Sequence, residues 1–108
     1  FVIVSTLYEG GGSGPVAEGI MMNKPVLCSR IPPIEEQLQA YGTADVTFFE
    51  PNNVVSIADA VENALRDQSI LLSRATNAKN ALESSIPSLW ERWTAVYSQN
   101  LIDVAHGR

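Results

Sequence analysis

A chain of 108 residues has room for one modest domain built around a single core. Its net charge of −5 and its seven scattered basic residues exclude the clustered basic surface that nucleic acids require. The single cysteine excludes an intrachain disulfide, and no apolar run approaches the length of a membrane span. We therefore expect a cytoplasmic protein.

The first predicted strand and helix flank a glycine-rich loop. Residues 1–5 form a continuous apolar run, which is typical of a strand buried on both faces. The loop covers residues 6–14, and a short helix is predicted over residues 15–22, with Pro15 well suited to its first position. Because such a strand needs neighbours, we expect the chain to be a fragment truncated at its N-terminus, with upstream residues that cover the strand.

Two further strands follow, separated by a second helix. The second strand is predicted at residues 26–29, and the helix runs from the Ile31-Pro32-Pro33 segment to about Tyr41, where Gly42 ends it. The third strand is predicted at residues 46–49. This alternation predicts an α/β fold, a Rossmann-like half domain with three parallel strands and flanking helices. So small a sheet leaves the first strand with an unpaired edge and a bare apolar flank.

The rest of the chain is predicted to be a helical C-terminal tail. Apolar residues recur there at helical spacing in three stretches, the last of them after a break at Pro87, and we expect each stripe to face a core. The stripes are Val54, Ile57, Ala58, Val61, Ala64 and Leu65; Leu71, Ala75, Ala78 and Leu82; and Trp90, Trp93, Tyr97, Leu101 and Val104. We therefore divide the chain into a partial Rossmann-like domain (residues 1–86) and its closing C-terminal helix (residues 87–108).

The loop between the first strand and helix carries the densest chemical signal. Glycine occupies four of the five positions from residue 10 to residue 14, so that main-chain N–H groups can approach a ligand closely. The helix N-terminus adds the positive end of its dipole, which suits an anion such as a diphosphate. Ligands of open α/β sheets bind beyond the carboxyl ends of the strands, where this loop lies. Two acids, Glu9 and Glu18, flank it.

Competing motifs fail on spacing. Gly10, Gly12 and Gly14 do not have the spacing of a dinucleotide fingerprint, Ser13 lacks the glycines of a nucleophile elbow, and the Gly-Lys-Ser/Thr ending of a P-loop is absent. No Cys/His cluster has metal-ligand spacing, so we expect no metal and no cofactor. A flexible connection without a ligand remains the alternative for the glycine-rich loop.

The order of several short motifs resembles glycosyltransferase family 4, the retaining enzymes of the GT-B fold. The segments that carry the resemblance are Ser5, Tyr8-Glu9-Gly10, Pro15-Val16-Ala17-Glu18, Asn23-Lys24-Pro25-Val26, Ile31-Pro32-Pro33-Ile34-Glu35-Glu36-Gln37, Phe48-Phe49-Glu50-Pro51-Asn52 and Ser88-Leu89-Trp90-Glu91. They cover most of the chain. Eight residues lie between Glu9 and Glu18, one more than is usual in the family, and the glycine-rich loop can absorb the extra residue.

The resemblance implies a role for each site residue. Glu18 matches the glutamate that accepts hydrogen bonds from the ribose hydroxyls of the nucleotide. Glu9 matches the catalytic glutamate beside the donor sugar, for which we expect sugar positioning and charge stabilisation. The remaining donor-binding residues implied are Gly10, Gly11, Gly12, Ser13, Gly14, Pro15 and Val16.

The resemblance also implies partners. The donor is a nucleotide-diphosphate sugar, and the full-length enzyme transfers a hexose to a glycan, lipid or other acceptor, with peripheral contact at the inner membrane face. The acceptor domain and the basic residues that neutralise the leaving diphosphate are expected upstream of residue 1, so we expect the fragment alone to be inactive. The alternative is a non-catalytic Rossmann-like interaction module that forms a homodimer through its exposed strand.

Overall fold

The computed structural model describes the backbone of residues 1–105 and the side chains of residues 1–91, 94 and 95. The chain is an α/β protein in which three strands alternate with helices before a helical C-terminal part. The elements in chain order are β1 (Val2–Val4), α1 (Gly14–Met21), β2 (Val26–Ser29), α2 (Pro32–Tyr41), β3 (Thr47–Phe49), α3 (Val54–Arg66) and α4 (Gln68–Ala105). The predicted fold class is confirmed, and each predicted strand lies within one residue of the observed one.

The three strands form one parallel sheet in the order β1-β2-β3. All four residues of β2 are buried, because this strand is paired on both sides and covered on both faces. β1 lies at one edge, and the side chains of Phe1 and Ile3 are each 46% exposed. The unpaired edge and the bare apolar flank predicted for the first strand are therefore confirmed.

Helices cover the two faces of the sheet unequally. On one face α1, α2 and α4 enclose the larger part of the core, whereas α3 and the start of α4 cover a smaller part on the other. The larger cluster comprises Val4, Val16, Ile20, Val26, Cys28, Ile31, Ile34, Leu38, Val46, Ala78 and Leu82. The smaller cluster comprises Leu27, Phe49, Ala60 and Ala64.

Close packing against the sheet fixes the position of α1. A Cβ atom added at Gly19 would lie 2.9 Å from Cγ2 of Val26 and 3.4 Å from Cγ2 of Val2. Only glycine therefore allows the helix to approach β1 and β2 this closely. The start of α1, and with it the glycine-rich loop, is consequently held beside the carboxyl ends of these strands.

The core-facing stripe predicted for α3 is wrong at three of its six positions. Val54 and Leu65 are 80% and 58% exposed, and Ala58 is exposed as well. The helix instead buries Ala60 and Ala64, with Ile57 and Val61 half-buried beside them. One sheet face offers a helix a narrow contact, so only positions spaced by three and four residues around one line are buried. The next predicted stripe is confirmed, since Ala75, Ala78 and Leu82 are buried and Leu71 is half-buried.

The break predicted at Pro87 is also wrong, because α4 continues through this residue. Residues 86 and 87 thus belong to one helix. Trp90, predicted to face a core, is 64% exposed. The side chains of Trp93, Tyr97, Leu101 and Val104 lie outside the described ones, as do residues 106–108 altogether. In the described part of the chain, no helix combines the length and apolar character needed to cross a bilayer.

Candidate functional site

The candidate site is the loop over residues 5–13, which leaves the carboxyl end of β1 and enters α1. Ser13 is the N-cap of that helix, and its Oγ accepts a hydrogen bond from the N–H of Val16 at 3.3 Å. The helix begins at Gly14, one residue before the predicted start, and Pro15 occupies a first-turn position where its missing N–H costs nothing. Serine at the cap and proline behind it explain why the chain turns into a helix here.

The start of the loop is attached to β2. The N–H of Thr6 donates to Oγ of Ser29 at 2.9 Å, and Oγ of Ser29 donates to the carbonyl of Val4 at 3.4 Å. Ser29 is fully buried, so these two bonds satisfy a side-chain hydroxyl that water does not reach. A second small ring follows, in which Oγ1 of Thr6 donates to the carbonyl of Tyr8 and accepts from its N–H.

The end of the loop is attached to α2 through Gln37. Oε1 of Gln37 accepts from the N–H of Ser13 at 2.7 Å, and Nε2 donates to the carbonyl of Ser13 at 2.8 Å. The same Nε2 donates to the hydroxyl of Tyr41 at 3.0 Å. The sequence analysis gave no role to Ser29 or to Gln37, although Gln37 ends one of the segments that carry the resemblance. A serine inside an apolar strand was a local signal for the first, whereas nothing local indicated the partner of the second.

These bonds determine which amides a ligand can use. The N–H groups of Ser13, Val16 and Ala17 donate within the protein, to Gln37, to the Ser13 hydroxyl and to the Ser13 carbonyl respectively. A ligand contact from the predicted amides of Ser13 or Val16 would therefore require an exchange of bonds. Among the described residues, the N–H groups of the remaining site glycines donate no hydrogen bond. These are Gly10, Gly11, Gly12 and Gly14.

Gly12 is the one site glycine with a left-handed backbone. Its φ is +106°, and an added Cβ would lie 3.2 Å from Cδ and from Oε1 of Gln37. Both the conformation and the close approach to Gln37 demand glycine. Gly11 and Gly14, by contrast, have open space around them and negative φ. The absence of a side chain at Gly11 and Gly14 leaves space above the backbone, although no steric clash with a neighbouring atom requires glycine there.

The two predicted acids are both accessible to solvent, and no bond joins them. Glu9 is half-buried and Glu18 is exposed, and neither carboxylate forms a hydrogen bond or a salt bridge with the described residues. Glu18 is the fifth residue of α1, so it lies about 7 Å along the helix axis from Ser13. It lies opposite Val16 and Ile20, the buried side of the helix. Its carboxylate is thus free to meet a ligand near the helix start.

No basic side chain belongs to the segment that forms the loop and α1. Residues 1–23 contain no lysine and no arginine. Arg30, at the end of β2, forms a salt bridge with Glu50 at 3.4 Å and lies 4.6 Å above the ring of Phe48. Within residues 1–23, the attraction for an anion therefore comes from the amide dipoles and from the N-terminus of α1.

Two grooves on the surface of the domain do not include the glycines of the loop. One of about 320 Å³ opens on the α3 side, beside the start of the loop. Its lining is Ser5, Thr6, Leu7, Asn52, Asn53, Val54 and Ile57. A shallower one of about 510 Å³ lies between α2 and β3, beside Arg30. The glycine segment lines neither groove, so a ligand at its amides would lie on an open surface.

Comparisons of the chain with protein-family models, with curated proteins and with solved structures found no match. The assignment of a function thus depends on the motif order and on the geometry of the loop.

Proposed function

We propose that this chain is the nucleotide-sugar donor-binding part of a retaining glycosyltransferase, which transfers a hexose to a glycan, lipid or other acceptor. The observation that carries the proposal is the set of unbonded amides at Gly10, Gly11, Gly12 and Gly14 beside the start of α1. The motif order that resembles glycosyltransferase family 4 supports the same reading. Such a loop suits a diphosphate because several of its N–H groups have no partner within the described residues and are available as donors.

Each acid has a chemical role in this proposal. The Glu18 carboxylate accepts hydrogen bonds from the two vicinal ribose hydroxyls, since an ionised carboxyl group is an acceptor with two oxygens. Glu9 lies by the donor sugar, where it positions the sugar hydroxyls and stabilises positive charge that develops at the anomeric carbon. The loop amides stabilise the negative charge that builds up on the leaving diphosphate.

The absence of basic residues from positions 1–23 limits what this chain does alone. Amide dipoles carry partial charges, whereas a leaving diphosphate gains full charges that lysine or arginine normally neutralises. We therefore expect weak binding of nucleotides by the 108-residue chain and no sugar transfer without further basic groups.

A titration of the chain with nucleoside diphosphates, monitored by isothermal calorimetry or NMR, tests the proposal. We expect Glu18→Ala to weaken binding roughly 10- to 100-fold, because a hydrogen bond to a charged group is lost. The control is Asp59→Ala, which removes the same charge from an exposed position on α3, the helix that covers the opposite face of the sheet. Equal affinity in Glu18→Ala and Asp59→Ala, or no binding by the unmodified chain, would contradict the donor-site proposal.

A second candidate function is a non-catalytic interaction module that dimerises through β1. The observation that favours it is the unpaired edge of β1 next to Ile3 and Phe1, whose apolar side chains are half-exposed. Exposed edge strands with apolar neighbours tend to pair with other chains. Failure of every nucleoside diphosphate to bind would favour this candidate over the first.

A further inference from the structure

The side chain of Gln37 replaces a backbone partner for the glycine-rich loop. Its amide group accepts from the N–H of Ser13 and donates to the carbonyl of the same residue, at 2.7 Å and 2.8 Å. Two antiparallel bonds of this kind are what a neighbouring strand would supply. The partners are 24 residues apart in the chain, so the pair joins α2 to the loop directly.

Gln37 is attached to the loop at Ser13, the residue on which the geometry of the loop depends. Ser13 is 1% exposed, and its N–H, carbonyl and hydroxyl are all engaged, by Gln37, Ala17 and Val16. The glycines with unbonded amides lie on both sides of Ser13, which makes it the fixed point from which those amides are oriented. The +106° backbone of Gly12 lies directly against the Gln37 amide and keeps that approach open.

Tyr41 in turn holds Gln37. The hydroxyl of Tyr41, one turn further along α2, accepts from Nε2 of Gln37 at 3.0 Å. This bond orients the side-chain amide so that its oxygen faces the Ser13 N–H and its nitrogen faces the Ser13 carbonyl.

We propose that Gln37 is a positioning residue that holds the loop over residues 10–14 in its ligand-ready conformation. It touches no ligand and acts through Ser13. The identity of the ligand in this inference rests on the proposed function. Gln37 orders the amides that would bind the diphosphate. Pre-ordering raises affinity since the loop loses less conformational freedom on binding.

The first test measures loop order in the ligand-free chain by ¹⁵N relaxation. We expect backbone order parameters at Gly12 and Gly14 to fall from roughly 0.85 in the unmodified chain to below roughly 0.6 in Gln37→Ala. The matched control is Gln39→Ala, an exposed position on the same helix that makes no contact with the loop. Unchanged order parameters in Gln37→Ala would overturn the inference.

The second test uses the pH dependence of Gln37→Glu. The introduced carboxylate keeps an acceptor for the Ser13 N–H but has no hydrogen to donate to the Ser13 carbonyl, so we expect a disordered loop at neutral pH. Protonation of the carboxyl group restores a donor, and loop order should then return as the pH falls. Gln39→Glu adds the same charge to α2 and should show no such transition. If the loop in Gln37→Glu is as ordered as in the unmodified chain at every pH, the volume of the side chain and not its hydrogen bonding orders the loop. That result would overturn the inference.

A third measurement separates this inference from the proposed function. We expect Gln37→Ala to weaken binding of a nucleoside diphosphate roughly three- to tenfold, as the cost of ordering the loop moves to the binding step. If the unmodified chain binds no nucleoside diphosphate, the proposed function fails, and the two loop-order tests still decide the role of Gln37. If the loop is disordered in Gln37→Ala and affinity is unchanged, the positioning role is overturned. Should Gln37→Ala fail to fold, Gln37→Glu carries the same comparisons.

Discussion

Cys28 lies in the middle of the central strand, and its side chain is fully buried among apolar residues of the larger core cluster. Burial raises the pKa of the Cys28 thiol from its ordinary 9.0 to about 12, while the positive charge of Arg30 acts in the opposite direction. The thiolate is the reactive form of cysteine. A thiol held neutral and away from water is therefore a packing group rather than a nucleophile.

We expect the native chain to react with a thiol reagent at pH 8 only as fast as it unfolds. The pKa shift also predicts how stability depends on pH. Between pH 9 and pH 12 the unfolded chain loses the thiol proton and the folded chain keeps it, so the free energy of unfolding falls as pH rises. The slope for one group approaches about 1.4 kcal/mol per pH unit.

Urea denaturation of the unmodified chain and of Cys28→Ala, at pH 8 and pH 10, checks this expectation. The difference in the free energy of unfolding between the two proteins should be smaller at pH 10, because ionisation of the Cys28 thiol in the unfolded state destabilises only the unmodified chain. Comparison of the pair removes the contribution of lysines and tyrosines that titrate in the same range. A constant difference across the two pH values would show that the thiol ionises equally in both states.

At the scale of the element, α4 illustrates how local and tertiary preferences compete. Proline inside a helix removes one N–H and crowds the carbonyl four residues earlier, which here belongs to Glu83. α4 nevertheless continues, with Ala75, Ala78 and Leu82 buried in its earlier turns. Pro87 and Glu83 are both exposed, so water can bond the carbonyl that proline leaves without a donor. The helix therefore tolerates the residue at a cost to its local stability.

In Pro87→Ala we expect the local free energy of unfolding of α4 after residue 87 to rise by up to about 3 kcal/mol. Amide hydrogen exchange of residues 88–95 should slow, and the far-UV circular dichroism signal of helix should increase. Ser88→Ala on the same exposed turn is the control, with an expected gain of about 0.5 kcal/mol or less. Faster exchange in Pro87→Ala would indicate that the proline favours the helix rather than strains it.

For the whole molecule, the unequal cover of the two sheet faces is the dominant feature. Three helices lie on one face, whereas α3 and the start of α4 cover β2 and β3 on the other. β1 is the outermost strand in the order β1-β2-β3, so it has an unpaired edge, and Ile3 beside that edge is half-exposed. An apolar side chain next to open backbone groups favours association with a second chain.

We expect the chain to form a concentration-dependent dimer that Ile3→Lys shifts toward monomer. A lysine beside the edge strand adds charge that a paired chain would have to bury. Leu65→Lys, an equally drastic change at an exposed position of α3, should leave the association unchanged. Sedimentation equilibrium over a wide concentration range measures the effect. A monomer at every concentration would remove the support for the interaction module.

The order and limits of most elements follow from local signals in the sequence. Pro15 lies in the first turn of α1 behind the Ser13 cap, and Gly42 ends α2 in the left-handed conformation that glycine adopts most readily. These preferences act within one turn of backbone, so a single sequence reveals them. The glycine-rich loop and its two flanking acids could be predicted for the same reason.

Tertiary contacts decided the remainder. Gln37 reaches Ser13 across 24 residues and Ser29 reaches Thr6 across 23, and in each case the fold brings together partners that no local pattern associates. The bond from Gln37 engages the amide of Ser13, whereas the amides of the neighbouring glycines have no partner among the described residues. Tertiary packing likewise decides which faces of α3 are exposed to water. It also decides whether α4 continues past Pro87. Packing and hydrogen bonding between distant residues depend on the positions of both partners, and those positions exist only once the chain has folded.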